Sequence, residues 1–206
     1  MATTKRIIQT ATVPLLPLRG MVVFPGMLLH FDVGRRKSAL ALHDCMEVDQ
    51  TVFLVAQKNL ADDDPRIDGL YDTGVVAKVR QIMKVSNDVF RVLVEGIYRA
   101  KITEVIKAEP YFIVGVRERP EPTNLTEVHE EALIRQCRAA FSAYADLAGE
   151  DLPAEVMMGV ATAAKAGYLA DYIAANLPMP VEEKAQILHT LPVIRRVELL
   201  MSILSR

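Results

Sequence analysis

The residues able to do chemistry in this chain are few and badly spaced for it. No G-x-x-x-x-G-K-[ST] occurs to cradle a nucleotide phosphate, and neither G-x-G-x-x-G nor G-x-S-x-G is present. His30, His43, His129 and His189 are scattered with no H-E-x-x-H, so they read as surface or satisfied core residues rather than metal ligands. Cys45 follows His43 by two positions, which on a helix points the side chains about 200° apart and separates thiol from base. Cys137 falls on an apolar stripe and reads as core filler. The acidic run Asp62-Asp63-Asp64 would need an acid or amide at its fifth position to form an EF-hand loop. Arg66 stands there, and Asp64-Pro65 reads as a solvated turn. Lys84 and Lys165 have no spacing to Ser86 or Ser142 that suggests a Ser-Lys pair. The expectation is no catalytic residue, no metal site and no cofactor site.

Apolar and thioether side chains remain. Pro14 to Leu18 reads as a strand, Arg19-Gly20 as a tight turn, Met21 to Phe24 as a second strand and Pro25-Gly26 as a break before Met27. Methionine is flexible and polarizable and suits surfaces that accept varied apolar partners. The segment from Phe24 to Leu29 is therefore either a contact edge or core, whereas Met157 and Met158 read as core.

The elements that must position these residues change character near residue 120. Before it the pattern is mostly strand: Thr51 to Ala56, Gly74 to Val85, Val89 to Val94 after the turn Ser86-Asn87-Asp88, Tyr98 to Ile106 after a break at Gly96, and Tyr111 to Val116. One helix, Arg35 to Val48, intervenes, with Ala39, Leu42 and Met46 on one face. Its first turn holds Arg35, Arg36 and Lys37, which opposes the helix dipole and suggests a solvated face near an acidic partner. Pro120-Glu121-Pro122-Thr123-Asn124 reads as a linker between a β-rich lobe, 1–119, and a helical bundle, 120–206.

In the bundle, Thr126 is a candidate N-cap, and Leu133, Ile134, Cys137, Phe141 and Tyr144 form a stripe. Gly149 ends that helix and Asp151-Leu152-Pro153 starts the next. This second helix carries Gly159, Ala161, Ala163, Ala164, Ala166 and Gly167 and should sit centrally, because small residues admit close backbone approach. Short helices follow at Leu169 to Leu177 and Val181 to His189. The last helix, marked by Val193, Val197, Leu200 and Leu204, has no stop signal before Arg206 and is expected to continue beyond it.

With 206 residues, 51% of them apolar, the chain can fold without staples. A net charge of -2 argues against a nucleic-acid module, which gains most of its affinity by neutralising phosphate. Two distant cysteines suggest reduced thiols and a cytoplasmic setting. No signal peptide is read in Met1 to Gln9, and Val156 to Ala175, interrupted by Lys165 and Asp171, reads as packed helices rather than a membrane span.

Taken in order, these segments resemble the N-terminal domain of Lon, the ATP-dependent protease. Beyond the opening Pro14 to Met27, Val33-Gly34-Arg35 with Ser38 is similar to that family's V-G-R-x-x-S, and Phe53 to Lys58 to its strand ending in Q-K. Leu70-Tyr71-Asp72-Thr73-Gly74-Val75 resembles L-Y-x-x-G-[TV], and Val92-Leu93-Val94-Glu95-Gly96 with Arg99 resembles V-L-V-E-G-x-x-R. Leu169 to Ile173 and Glu183 to Leu188 resemble two helical segments, with Ala185 a departure from the usual E-K-Q. The resemblance implies an α+β fold, a PUA-like pseudo-barrel lobe followed by an α-helical bundle. It also implies that AAA+ ATPase and Ser-Lys protease modules, with ATP and Mg, belong to the parent protein and not to this chain.

The function so implied is recognition of unfolded, damaged or degron-bearing proteins in quality control, together with assembly with the other modules and subunits of a Lon homo-hexamer. The candidate contacts are Phe24, Pro25, Met27 and Leu29. A stand-alone Lon-like adaptor for protein–protein interaction is the alternative.

Overall fold

The computed structural model describes residues 7–86, 88–122, 125–148 and 152–206. Asn87, Thr123, Asn124, Gly149 and Asp151, all assigned to turns, linker or helix ends from the sequence, lie outside the described residues, as does most of the Met1–Gln9 stretch. Contacts divide the chain into two compact units, Met1–Pro120 and Glu121–Arg206. The α+β expectation holds, with a six-stranded sheet and six helices among the described residues.

The first unit contains β1 (Thr10–Leu18), β2 (Leu28–Val33), α1 (Arg36–Val48), β3 (Thr51–Ala56), β4 (Thr73–Lys84), β5 (Phe90–Lys107) and β6 (Ile113–Glu118). The sheet order is β2-β5-β4-β3-β1-β6, and β5 pairs again with β6. That second pairing closes β5, β4, β3, β1 and β6 into a ring and leaves β2 outside it, held on β5 alone among the described strands. All six residues of β3 are buried, and after Thr51 they are all apolar, because both faces of the strand are covered. Phe53 and Val55 face a core with Val13, Leu15, Leu70, Val76, Val114 and Val116. The alternate residues Leu16 and Leu54 point to the opposite face, where α1 packs on β1 and β3.

Three expectations for this unit are corrected. Met21 to Phe24 is not a strand: Val22, Val23 and Phe24 are buried in succession, so the segment folds under cover on both sides instead of joining a ladder. Gly96 does not break the sheet. β5 continues for 18 residues with a bulge at Ile97 in its pairing with β4, and the glycine serves a close approach, since a Cβ there would collide with the Phe24 carbonyl. The buried face of α1 is Ser38, Ala41, Leu42 and Cys45, one residue round from the expected stripe, leaving Met46 exposed.

The second unit contains α2 (Glu127–Ala148), α3 (Ala154–Thr162), α4 (Ala166–Asn176), α5 (Val181–His189) and α6 (Val193–Leu204). Thr126 caps α2, its hydroxyl accepting from the His129 amide, and Leu133, Cys137 and Phe141 of the expected stripe are buried. The small-residue stretch 159–167 is two helices, not one. The chain breaks at Ala163 to Lys165, where Arg138 of α2 donates to the carbonyls of Val160, Ala161 and Ala163, and Glu130 accepts from the Ala166 amide. These long-range caps satisfy the groups a helix interruption leaves open. Met157 and Met158 are exposed on α3 and not core, because the short helix turns that side to solvent.

α4 packs against α2, α3, α5 and α6. Next to it Arg196 of α6 is fully buried. It donates to Asp171 at 3.2 Å and Glu121 at 2.7 Å, and to the carbonyls of Gly167, Thr190 and Leu191. A charge so enclosed is tolerated because its donors are met.

Candidate functional site

The segment linking β1 to β2 is fixed by a few backbone bonds. The Gly26 amide donates to the Gly96 carbonyl at 2.8 Å, and the Gly96 amide to the Met27 carbonyl at 2.9 Å. Gly26 takes φ 76°, which favours glycine after Pro25. Phe24 is fully buried and Met27 nearly so, while Pro25 and Leu29 are half-buried. The four residues singled out from the sequence thus lie on one segment but divide between anchor and surface. The side chain most open to solvent beside them is Leu28, at 64% exposure.

Met21 and His30, on either side of this segment, line a cleft of about 800 Å³ that Phe24, Pro25, Met27, Leu28 and Leu29 do not themselves line. Leu16, Pro17 and Leu18 of β1 and Met21 border one side, and His30, Phe31, Asp32 and Val33 of β2 the other. Met83 of β4 and Arg91 of β5 complete it, with Gly34, Arg35 and Ser38 where β2 turns into α1. Met83 pairs with Arg91, and Arg91 with Asp32, so sheet register sets these three side by side.

The cleft is apolar with ionic borders. Arg91 clasps Asp32 with two bonds of 2.7 and 2.9 Å, which holds the Asp32 carboxyl below the usual carboxylate range. Arg19 binds Asp63 and lowers that carboxyl likewise. Lys37 meets Asp64 at 2.9 Å and Glu109 at 3.0 Å, and both raise the lysine. The acidic loop is thus the partner of the basic first turn of α1. Arg35 differs from these. It donates through Nη2 to the Gln57 side-chain oxygen at 2.7 Å and to the Asp62 carbonyl at 3.3 Å, both neutral acceptors, and its buried Nη1 has no hydrogen-bond partner. Burial, then the neighbouring Arg19 charge, lowers its affinity for its proton.

Among the described residues no cluster of three or more metal-ligating side chains occurs. Burial pushes the thiols up, Cys45 to about 11 and Cys137 to about 12. No nucleophile–base geometry accompanies them. What the arrangement offers is a surface for binding. A family model for the ATP-dependent protease La (LON) substrate-binding domain matches residues 12–206. This chain belongs to the Lon substrate-binding domain family.

The relatives of this Lon-family chain agree. It is 39% identical to the Lon protease of Heliobacterium modesticaldum over 100% of its own length, and 40% identical to that of Brevibacillus choshinensis over 93%. It spans about a quarter of the length of these relatives, 25% and 24%. The fold is also that of the N-terminal domain of Mycobacterium avium complex Lon protease, with a TM-score of 0.75 at 21% identity over 95% of this chain and 98% of that one. A Lon N-terminal domain protein from Xanthomonas campestris superposes with a TM-score of 0.64 at 16% identity, covering 93% and 98%. No described helix of the Lon-family chain is long and apolar enough to cross a membrane.

Reading single motifs passed over Asp32, Met83 and Arg91, and took Arg35 as part of a basic helix turn and of the V-G-R match rather than as a wall of a cleft. One signal was available. From Leu29 to Val33 the polar residues His30 and Asp32 alternate with apolar ones, the pattern of a half-buried strand at an edge.

Proposed function

We propose that this chain is the substrate-recognition part of a Lon-type ATP-dependent protease, and that it captures unfolded or degron-bearing protein segments on the Met21 to Phe31 side of the β-rich lobe. The observation that carries this reading is the apolar cleft beside an exposed Leu28, in a chain of the Lon substrate-binding family. Pro25, Leu28 and Leu29 supply accessible contact, and Phe24 and Met27 hold the segment from beneath. The β-rich lobe and the helical bundle act as separate domains. ATP hydrolysis and peptide cleavage belong to the other modules of the parent protein, with which this chain helps a homo-hexamer assemble.

The test is capture of a reduced, carboxymethylated protein that cannot refold. Leu28→Asp lowers its retention several-fold while leaving the melting temperature within a few degrees, because the side chain is already solvent-facing. Met27→Asp, by contrast, buries a charge and unfolds the lobe. Unchanged capture by the folded Leu28→Asp protein overturns the site, and no capture by the unmodified chain overturns the function.

A further inference from the structure

We propose that the edge of β2 that no other described strand pairs receives an extended client segment as an added strand and that Arg35, where β2 turns into α1, holds an acidic side chain of that segment; this rests on the client-capture reading above. The register gives the edge its direction. β2 pairs antiparallel with β5, Leu28 opposite Glu95 through Val33 opposite Phe90, and the Gly96 amide donates to Met27 one step before. Antiparallel ladders alternate residues that bond inward with residues that do not. Met27, Leu29, Phe31 and Val33 therefore bond toward β5, while the backbone N–H and C=O groups of Leu28, His30 and Asp32 point away from the sheet.

That edge faces the cleft. His30, Phe31, Asp32 and Val33 all line it in succession, although their side chains alternate across the sheet, so the strand meets the cleft along its edge. Natural edges are commonly blunted by proline or lysine. β2 has neither, and its first residue is the exposed Leu28. An added strand would satisfy the outward groups and lay alternate apolar side chains near Met21, Phe31 and Met83.

The charge argues for the acidic residue. The hydrogen bonds of Arg35 go to neutral acceptors and its buried Nη1 has no partner, while the neighbouring Asp63 and Asp64 are already bound by Arg19 and Lys37. Both Nη2 hydrogens are used by Gln57 and Asp62, so the buried Nη1 is the arm left for a carboxylate of an entering segment.

The probe is a short fluorescein-labelled peptide of alternating Val and Thr with one Glu near an end, acetylated and amidated, read by anisotropy on the whole chain. Two further versions carry N-methyl groups on alternate residues, one set for each edge of the peptide. One methylated version should lose about tenfold in affinity and the other little, since only one peptide edge pairs with β2. Glu→Gln in the peptide should cost a similar factor. His30→Pro, which removes an outward N–H at an exposed position, should abolish binding without changing the far-ultraviolet spectrum. If that variant does not fold, the methylated pair decides alone.

Equal binding of both methylated peptides overturns strand addition, as does a failure of the Glu peptide to bind. Equal binding of the Gln peptide overturns the role of Arg35, and tight binding of a Gln peptide with a free terminus assigns Arg35 to chain ends instead. Self-association of the chain that the peptide does not displace would make a second copy the occupant. Client capture that persists through any of these results leaves the function standing and removes only the strand or the role of Arg35.

Discussion

At the scale of single residues, Gly96 does more for the candidate surface than the apolar side chains beside it. Its missing Cβ lets the Phe24 carbonyl close on β5, and its amide and carbonyl hold Met27 and Gly26. Gly96→Ala should cost about 3 kcal/mol, because the obstruction is backbone and cannot rotate aside. Gly34→Ala, whose Cβ would meet only Val89 Cγ2 at 3.5 Å, should stay within about 0.5 kcal/mol. Urea denaturation of the two variants measures the contrast, and equal midpoints would refute the role given to Gly96. The cysteines make a second residue-scale case. With thiols at about 11 and about 12, the thiolate is a vanishing fraction at pH 8. Both are buried, so labelling by a disulfide reagent at that pH should follow unfolding, and added urea should accelerate it. Rapid stoichiometric labelling of the native chain would contradict that.

At the scale of elements, sequence and structure part company wherever a long-range partner decides the outcome. β3 was legible to the residue, because an unbroken apolar run of that length has few other fates. So was the cap at Thr126, where the signal is local. The break between α3 and α4 was not. Ala163 and Ala164 are good helix formers, and what stops them is Arg138 on another helix. Gly96 and Phe24 erred for the same reason: the glycine signalled a break, but the chain approaching it is distant in sequence. Of the candidate site, the segment was legible as apolar and the division into anchors and surface was not, since alternation gives faces and not which face is covered. Arg196 gave no local signal at all. The break yields its own prediction. Arg138→Met removes three donors from the end of α3 and should cost about 2 kcal/mol. Faster amide exchange confined to the last turn of α3 and the first of α4 would locate the loss, and unchanged protection there would refute the cap.

At the scale of the whole molecule, charge decides which partners the lobe can take. The net charge is -2, and many surface cations are already spoken for: Arg19 by Asp63, Lys37 by Asp64 and Glu109, Lys78 by Asp49, Arg80 by Glu95, Arg91 by Asp32 and Lys101 by Asp72. Exposed pairs of this kind contribute only about 0–1 kcal/mol each, so their larger effect is to break up any basic stripe. Among the described residues these pairs interrupt the basic surface, and RNA should not bind measurably even at low ionic strength. Were Z phosphates neutralised, affinity would fall with salt at a slope of about -0.9Z on a duplex and about -0.7Z on a single strand. An unfolded protein captured through Leu28 and the apolar cleft behaves oppositely. Its affinity rests mainly on removing apolar surface from water, with one ion pair at Arg35, so capture should fall only slightly as salt rises and should show a negative heat-capacity change. Titration calorimetry of the carboxymethylated client across a salt series, beside a mobility-shift series with single-stranded RNA, separates the two. A steep salt slope for the client, beyond what the one pair at Arg35 can give, would move the site from the apolar cleft to its charged borders, and a steep slope for RNA would restore the nucleic-acid reading.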